Sequence, residues 1–290
     1  MPRARRARLF GMAELGDFLR TRRARLRPQD VGLPDHGRRR VPGLRREELA
    51  QLAGVSVDYY VRLEQGRDIH PSEQVLEAIA RALALNDDER AHLNALVHRR
   101  RRARRRRPER VRPSVQQLLE RLGVPAMVIG RRMDVLAFNA LAGALTGGFQ
   151  ERNMVRHVFL DEGARELYPE WDAIAAETVG FLRLSAGEDP DDAALIELVG
   201  ELSVHSEDFR RLWARHDVHS KSFGVKRFAH PQVGPFTLNY ECFGLPEPGQ
   251  TLVTYMAAPG SETALALLGT LCREQDRRTL GDDDRVLEVR

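Results

Sequence analysis

Two cysteines, Cys242 and Cys272, are all that 290 residues contain. They are too few for a disulfide framework and lack the close spacing of zinc ligands, so a reducing, cytoplasmic compartment is expected. No apolar run approaches the roughly 20 residues of a membrane span. The basic N-terminus is not followed by the apolar stretch of a secretory signal. A soluble intracellular protein without membrane contact is therefore expected. Neither a Walker A motif nor a dinucleotide fingerprint occurs. Ser220 and Ser222 lie near His219, but no G-x-S-x-G elbow gives either the context of a nucleophile. No enzyme is expected. Lysine is absent from residues 1–112.

What that stretch does hold is arginine: 28 of them against 15 acidic residues, a net charge of +13. Residues 113–290 carry 18 basic and 27 acidic residues, a net of −9. A basic part joined to an acidic part points to a polyanion partner for the first alone. The length suffices for two domains. The run RRRRARRRRPERVR has too much like charge to form a packed element. We place a linker over residues 99–113, between a domain at 1–98 and a second at 114–275, with a charged tail at 276–290. The linker is a solvated connector, an extension of the preceding helix, or a tether that gains counterion-release energy on a polyanion.

The first domain reads as helical. Met1–Arg8 is an arginine-rich arm expected to be disordered. Ala13–Leu26 follows as a helix, with Leu15, Phe18, Leu19 and Leu26 on one side and Arg20, Arg22, Arg23 and Arg25 mostly opposite. Arg27–Gly43 makes a long connection containing Arg38, Arg39 and Arg40, either a solvated loop or an extra phosphate or minor-groove contact. Then REELAQLAGVSVDYYVRLEQ, Arg46–Gln65, predicts two short helices across a tight turn. Ala50 is small where a larger side chain would hold the helices apart. Gly54 sits in the turn, where a positive φ is cheapest without a Cβ. Ser56 caps the second helix, and Tyr60 and Leu63 return it to the core. Ser72 caps a fourth helix, and Asn86 with Glu89 makes a capping box for a fifth. Five helices with this motif second and third resemble the DNA-binding domains of the XRE (xenobiotic-response-element) family, over about residues 13–98.

In a helix-turn-helix the second helix lies in the major groove of double-stranded DNA. Arg62 is the candidate base contact, because arginine to guanine is the commonest specific pair. Asp58 accepts from cytosine or holds Arg62 at the i, i+4 spacing, the second being preferred. Val57 and Tyr59 face thymine methyls or the backbone. Ser56 offers hydrogen bonds to phosphate, and Arg45, Arg46 and Arg67 flank the motif as phosphate ligands or plain surface charges. Such a protein would be found at the nucleoid.

The second half changes character. Ala126–Gly130 and Val135–Asn139 read as a hairpin and Ala140–Leu145 as a helix. Helices follow over Gly163–Leu184, Asp191–His205 and Glu207–His216. Lys221–Ala229, Phe236–Leu245 and Leu252–Ala257 alternate as strands, and a helix over Glu262–Leu271 closes the domain. The expected fold class is thus an all-α helix-turn-helix domain followed by an α/β, PAS-like domain with an antiparallel sheet. The segments PAMVIGRRMDVLAFNALAGAL, RNMVRHVFLD, EDFRRLWARHDV, KRFAHPQVGPFTLNYECF and QTLVTYMAAPGS occur in the order found in MmyB-like transcriptional regulators. This resemblance covers about residues 114–271. With RRRVPGLRREELAQLAGVSVDYYVRLEQGR ahead of it, nearly the whole chain is similar to that family. The resemblance implies a PAS-like fold, a ligand-binding C-terminal domain and, in at least one member, a fatty-acid-like ligand.

An amphiphile needs an apolar slot with a polar group at one end. Phe138, Trp213, Tyr240 and Tyr255 are candidates to line it, and Arg215, His216 and His230 to meet the head. Each has a structural alternative as ordinary core or as a buried hydrogen-bonded partner. His216 and His219, three apart with His230 downstream, could supply metal ligands, but the segment leaves a helix and enters a strand, so one-face spacing cannot be assumed; no metal is expected, and no cofactor beyond the small-molecule effector. The expected protein is a homodimeric regulator in which ligand and DNA affinities are linked. The rival is a C-terminal protein-interaction or dimerisation module whose interior is filled core.

Overall fold

The structure is a computed structural model that describes residues 3–34, 43–67, 71–97, 109–149, 152–189, 192–220 and 222–272. The chain forms two compact units, one drawn from Met1–Arg104 and Val179–Ser220, the other from Arg105–Thr178 and Lys221–Arg290.

The first unit opens with α1 (Arg3–Arg25) and a 3-10 turn, Pro28–Val31, followed by α2 (Arg46–Ala53) and α3 (Val57–Glu64). Two more helices, α4 (Glu73–Ala82) and α5 (Asp87–Val97), complete the series. Helix α1 begins at Arg3 and not at Ala13, so residues 3–8 of the N-terminal arm are helical where disorder was expected. Its arginines and alanines are good helix formers. Phe18, Leu19, Leu44, Leu49, Ala50, Tyr60, Leu63 and Ile79 bury almost completely in one core. Each large side chain so buried contributes about 1.5–3 kcal/mol. Arg22 departs from the expected pattern: it lies on the inner side of α1, over the ring of Phe18 one turn earlier. The caps are as read. Ser72 Oγ accepts from Val75 N–H, and Asn86 and Glu89 exchange bonds of 2.9 and 3.1 Å.

Next come α6 (Pro113–Arg121), β1 (Ala126–Ile129), β2 (Val135–Phe138) and α7 (Ala140–Thr146). Asn139 ties them together: its Oδ1 accepts from Ala126 and Ala142 N–H, and its Nδ2 faces the Leu119, Leu122 and Val124 carbonyls. Helix α8 (Met154–Leu160), capped by Asn153, went unread in the sequence. The single helix expected over Gly163–Leu184 is two, α9 (Ala164–Leu167) and α10 (Trp171–Glu188). Pro169 accounts for the break, since proline removes an amide donor and keeps Tyr168 out of the helical region. Helix α10 begins in the second unit and ends in the first. Helices α11 (Ala193–His205) and α12 (Glu207–Trp213) also belong to the first unit, where Leu195, Leu198, Leu202 and Phe209 are buried.

Strands β3 (Phe223–His230), β4 (Gly234–Gly244) and β5 (Thr251–Ala257) return the chain to the second unit, and residues 262–272 are helical. The strands form one five-stranded antiparallel sheet in the order β2-β1-β5-β4-β3. Phe236, Leu238 and Tyr240 are buried while their neighbours are not, the alternation of a sheet with two different faces. Among the described residues no helix is long and apolar enough to cross a membrane.

Candidate functional site

Helix α2 stops at Gly54, whose φ of 66° and ψ of 29° are left-handed; a residue with a Cβ would resist this conformation. The chain re-enters helix at Ser56, where Oγ accepts from Tyr59 N–H at 3.2 Å. The eight residues of α3 then divide by face. Tyr60, Leu63 and Glu64 are buried; Val57, at 39 % exposure, Asp58 and Arg62 are open, and Tyr59 is half-buried. No ion pair joins Asp58 to Arg62, so the preferred i, i+4 pairing does not form. An exposed pair of this kind gains only about 0.3–0.5 kcal/mol against the entropy of two long side chains. Arg62 is left open on the face where base contacts were expected.

Arg46 has a different place from the one expected of a phosphate ligand. Its Nη2 lies 2.7 Å from Glu64 Oε1, and Arg23 of α1 reaches the same carboxylate at 3.0 Å. Burial alone would raise the Glu64 pKa, but the hydrogen bonds and charges of Arg23 and Arg46 outweigh it and hold the carboxyl below its usual range. The triad braces the end of α3 against α1 and α2. Its sequence signal was the E of RLEQGR, an acid at a core-facing position one residue after Leu63. Arg45 and Arg67 are exposed. Arg45 donates its backbone N–H to Glu48 at 2.7 Å, closing the first turn of α2. Arg38, Arg39 and Arg40 lie outside the described residues.

The seven ligand candidates are divided between the units. Phe138, His230, Tyr240 and Tyr255 belong to the second, Trp213, Arg215 and His216 to the first. In the second unit a run of rings crosses the interior. It goes from Phe138 to Phe149 (5.2 Å), His157 (5.8 Å) and Tyr168 (5.9 Å). From there it passes to Phe228 (5.6 Å), Tyr255 (6.1 Å) and Tyr240 (6.3 Å). His230 is buried with both ring nitrogens occupied: Nδ1 accepts from Gln232 N–H and Nε2 lies 3.0 Å from the Ala144 carbonyl. Those partners require the neutral tautomer with the proton on Nε2. A cleft of about 440 Å3 opens beside it, lined by Ala140, Gly143, Ala144, Gly147, His230 and Cys272.

In the first unit Trp213 and His216 are partners of Arg183, a residue the sequence reading missed. The Arg183 guanidinium lies 3.7 Å from the Trp213 ring centroid and donates to the Trp213 carbonyl. It also reaches Glu14 Oε1 at 3.2 Å and His216 Nδ1 at 3.0 Å. An arginine can only donate, so His216 accepts as neutral imidazole. Burial, then the charges of Arg183 and Arg22, pushes its pKa down to about 3. Arg22 adds a bond to the His216 carbonyl and ion pairs with Glu89 at 2.7 Å and Asp217 at 3.5 Å. Arg215 exposes its side chain and contributes its carbonyl to Arg25 at 2.9 Å. Among the described residues no three His, Cys, Asp or Glu side chains converge to hold a metal ion.

Comparison with known families finds two matches. A helix-turn-helix domain family matches residues 14–93, which span α2, the Gly54 turn and α3. No curated protein matches the chain. The ligand-binding domain family of MmyB-like transcription regulators matches residues 111–271, including the five-stranded sheet and helices α6 to α12. That second match covers more than half of the chain; with the helix-turn-helix ahead of it, the chain belongs to the MmyB-like transcription regulators, proteins with a DNA-binding head and a ligand-binding C-terminal domain.

Proposed function

We propose that the protein is an XRE-type, sequence-specific regulator that acts at the nucleoid as a homodimer, and that its PAS-like domain binds an amphiphilic, fatty-acid-like effector. The observation that carries the DNA half is the division of α3. One short helix buries Tyr60, Leu63 and Glu64 and leaves Ser56, Val57 and Asp58 open at its capped end, with Arg62 open in its last turn. In this reading Arg62 meets a guanine edge, Val57 and Tyr59 meet thymine methyls or sugar, and Arg45 and Arg67 hold phosphate. Asp58, unpaired with Arg62, accepts from a cytosine.

Two strands, a helical middle and a three-stranded meander in one antiparallel sheet support the PAS-like reading. The aromatic run from Phe138 to Tyr240 supports an apolar ligand, with Phe138, Tyr240 and Tyr255 along it. Ligand and DNA are linked: an effector that favours one spacing of two DNA-binding heads changes operator affinity, and the operator changes effector affinity by the same factor.

Native mass spectrometry of the purified protein, with extraction and identification of bound small molecules, tests this reading. We expect dimer mass and an extracted amphiphile that shifts the affinity for DNA sites selected from a random pool. A monomer with no bound molecule, and DNA affinity indifferent to added fatty acid, would overturn it.

A further inference from the structure

Strand β3 lies at one edge of the sheet, paired with β4 alone. Cys242 N–H donates to the Ser222 carbonyl at 2.6 Å, which fixes the phase of the ladder. Even-numbered residues of β3 therefore bond to β4, and odd-numbered ones turn their N–H and C=O groups outward. Among the described residues nothing meets those outward groups on Phe223, Val225 or Arg227. The side chains of the same three residues lie on the outer face of the sheet, opposite to the buried Phe228 and His230. Phe223 is 66 % exposed and Val225 60 %.

Helix α6 covers one half of that outer face, where Val115 and Leu119 pack on Ala126, Val128 and Leu252. The half formed by β3 and β4 is open. Phe243, diagonal to Phe223, and Met256, across Asn239 from Val225, extend its exposed apolar surface. An edge strand with free amides and an apolar face is a template for another strand.

The strand it fits is its own copy. Two identical antiparallel strands share a two-fold axis. Because outward-facing residues make the hydrogen-bonded pairs, the axis passes through one of the odd-numbered residues. Centring on Phe223 sets the rest of β3 beyond the end of the partner's strand, and centring on Ala229 runs into the turn at Pro231. Centring on Arg227 sets two guanidinium groups opposite each other, which is unfavourable. Centring on Val225 sets Val225 against its own copy, Lys226 against Gly224 and Arg227 against Phe223, with no like charges facing. Glu241 stands beside Phe223 on β4. The partner's Arg227 then crosses the Phe223 ring toward a carboxylate, joining a cation–π contact to an ion pair. Within one chain Arg227 lies 3.4 Å from Glu170, but both side chains are mostly exposed, and such a pair contributes little.

We propose that β3 is the dimer interface: two copies of the chain pair β3 to β3 about a two-fold axis at Val225 and join their sheets edge to edge. This rests on the reading that the protein is a homodimer and adds the surface that makes it one.

Sedimentation of the full-length protein, with disulfide trapping, tests it. Wild type should sediment as a dimer. Val225→Lys sets two ammonium groups at the axis and should raise the dimer dissociation constant at least about tenfold, with an unchanged circular dichroism spectrum because Val225 is exposed. Facing Val225 Cα atoms lie about 5.5 Å apart in such a pair, within reach of a disulfide, whereas the two Arg227 positions are separated by about 14 Å. Under mild oxidation Val225→Cys should run as a covalent dimer on a non-reducing gel, and Arg227→Cys and wild type should not. A Val225→Lys dimer as tight as wild type, or trapping through Arg227→Cys in place of Val225→Cys, overturns the β3 interface and leaves the homodimer reading standing. A monomeric wild type overturns both.

Discussion

Arg183 and Glu14 form an ion pair that is closed to water, with side chains 0 % and 6 % exposed and 3.2 Å between Nη1 and Oε1. Glu14 stands on α1 of the helix-turn-helix match and Arg183 on α10 of the ligand-binding match. Desolvation brings the Arg183 pKa down to about 10, yet at neutral pH it keeps its charge. Breaking one side of such a pair strands the other. Arg183→Met should therefore cost about 3–5 kcal/mol. The double variant with Glu14→Gln should cost clearly less than the two single variants added together. Denaturant unfolding followed by tryptophan fluorescence reads this directly, because Trp213 stacks on Arg183; strict additivity would count against the pair.

His92 is buried completely against Phe18, with neither ring nitrogen hydrogen-bonded. Burial first, then Arg183 and Arg22, pushes its pKa down to about 3 from an ordinary 6.5. The sign follows from linkage. The unfolded chain takes up a proton near pH 6.5 and the folded chain does not, so the stabilisation is complete above that pH. It is lost as pH falls toward about 3, at up to roughly 1.4 kcal/mol per pH unit for each such group. His216 behaves in the same direction. His92→Leu should therefore gain more stability relative to wild type at pH 5 than at pH 8. Identical differences at the two pH values would show that His92 is not held neutral.

Glu64 is the opposite ionic type, with a lowered carboxyl pKa. Its contribution is present above the unfolded value of about 4.5 and disappears as pH falls through the folded one. Glu64→Gln should cost about 3 kcal/mol at pH 7 and flatten the stability curve below pH 4.5. Arg46→Ala should also destabilise the fold, by a smaller amount because Arg46 is half exposed and Arg23 remains. A normal unfolding midpoint for Arg46→Ala with weakened DNA binding would return Arg46 to the phosphate contacts.

On DNA, Arg62→Ala should lower specific affinity by roughly 1–3 kcal/mol and relax base preference at one position of each half-site. Arg67→Ala should weaken all sequences alike and reduce the salt slope by about one. Fluorescence anisotropy against a selected site and a scrambled duplex separates them. Equal losses on both duplexes for Arg62→Ala would make it a phosphate contact.

The sequence by itself determined the elements whose causes are local. Gly54 needs a left-handed turn, Ser56 and Ser72 cap their own helices, and Asn86 and Glu89 bond within three residues of each other. Alternation from Phe236 to Cys242 declares a two-faced strand before any partner is known. The division of α3 into Tyr60 and Leu63 inside, Val57, Asp58 and Arg62 outside, was legible for the same reason. What tertiary structure alone decided is where charge is buried. Arg22, Arg183 and Glu64 look in sequence like ordinary solvated ions, because nothing within a few residues of each names its partner. Those partners lie up to 195 positions away, as Asp217 does from Arg22. The same distance effect put Trp213 and His216 with Arg183 in the first unit and left Tyr240 and Tyr255 in the second. Aromatic composition implies an apolar interior, but which rings share one depends on chain crossings that no local pattern encodes.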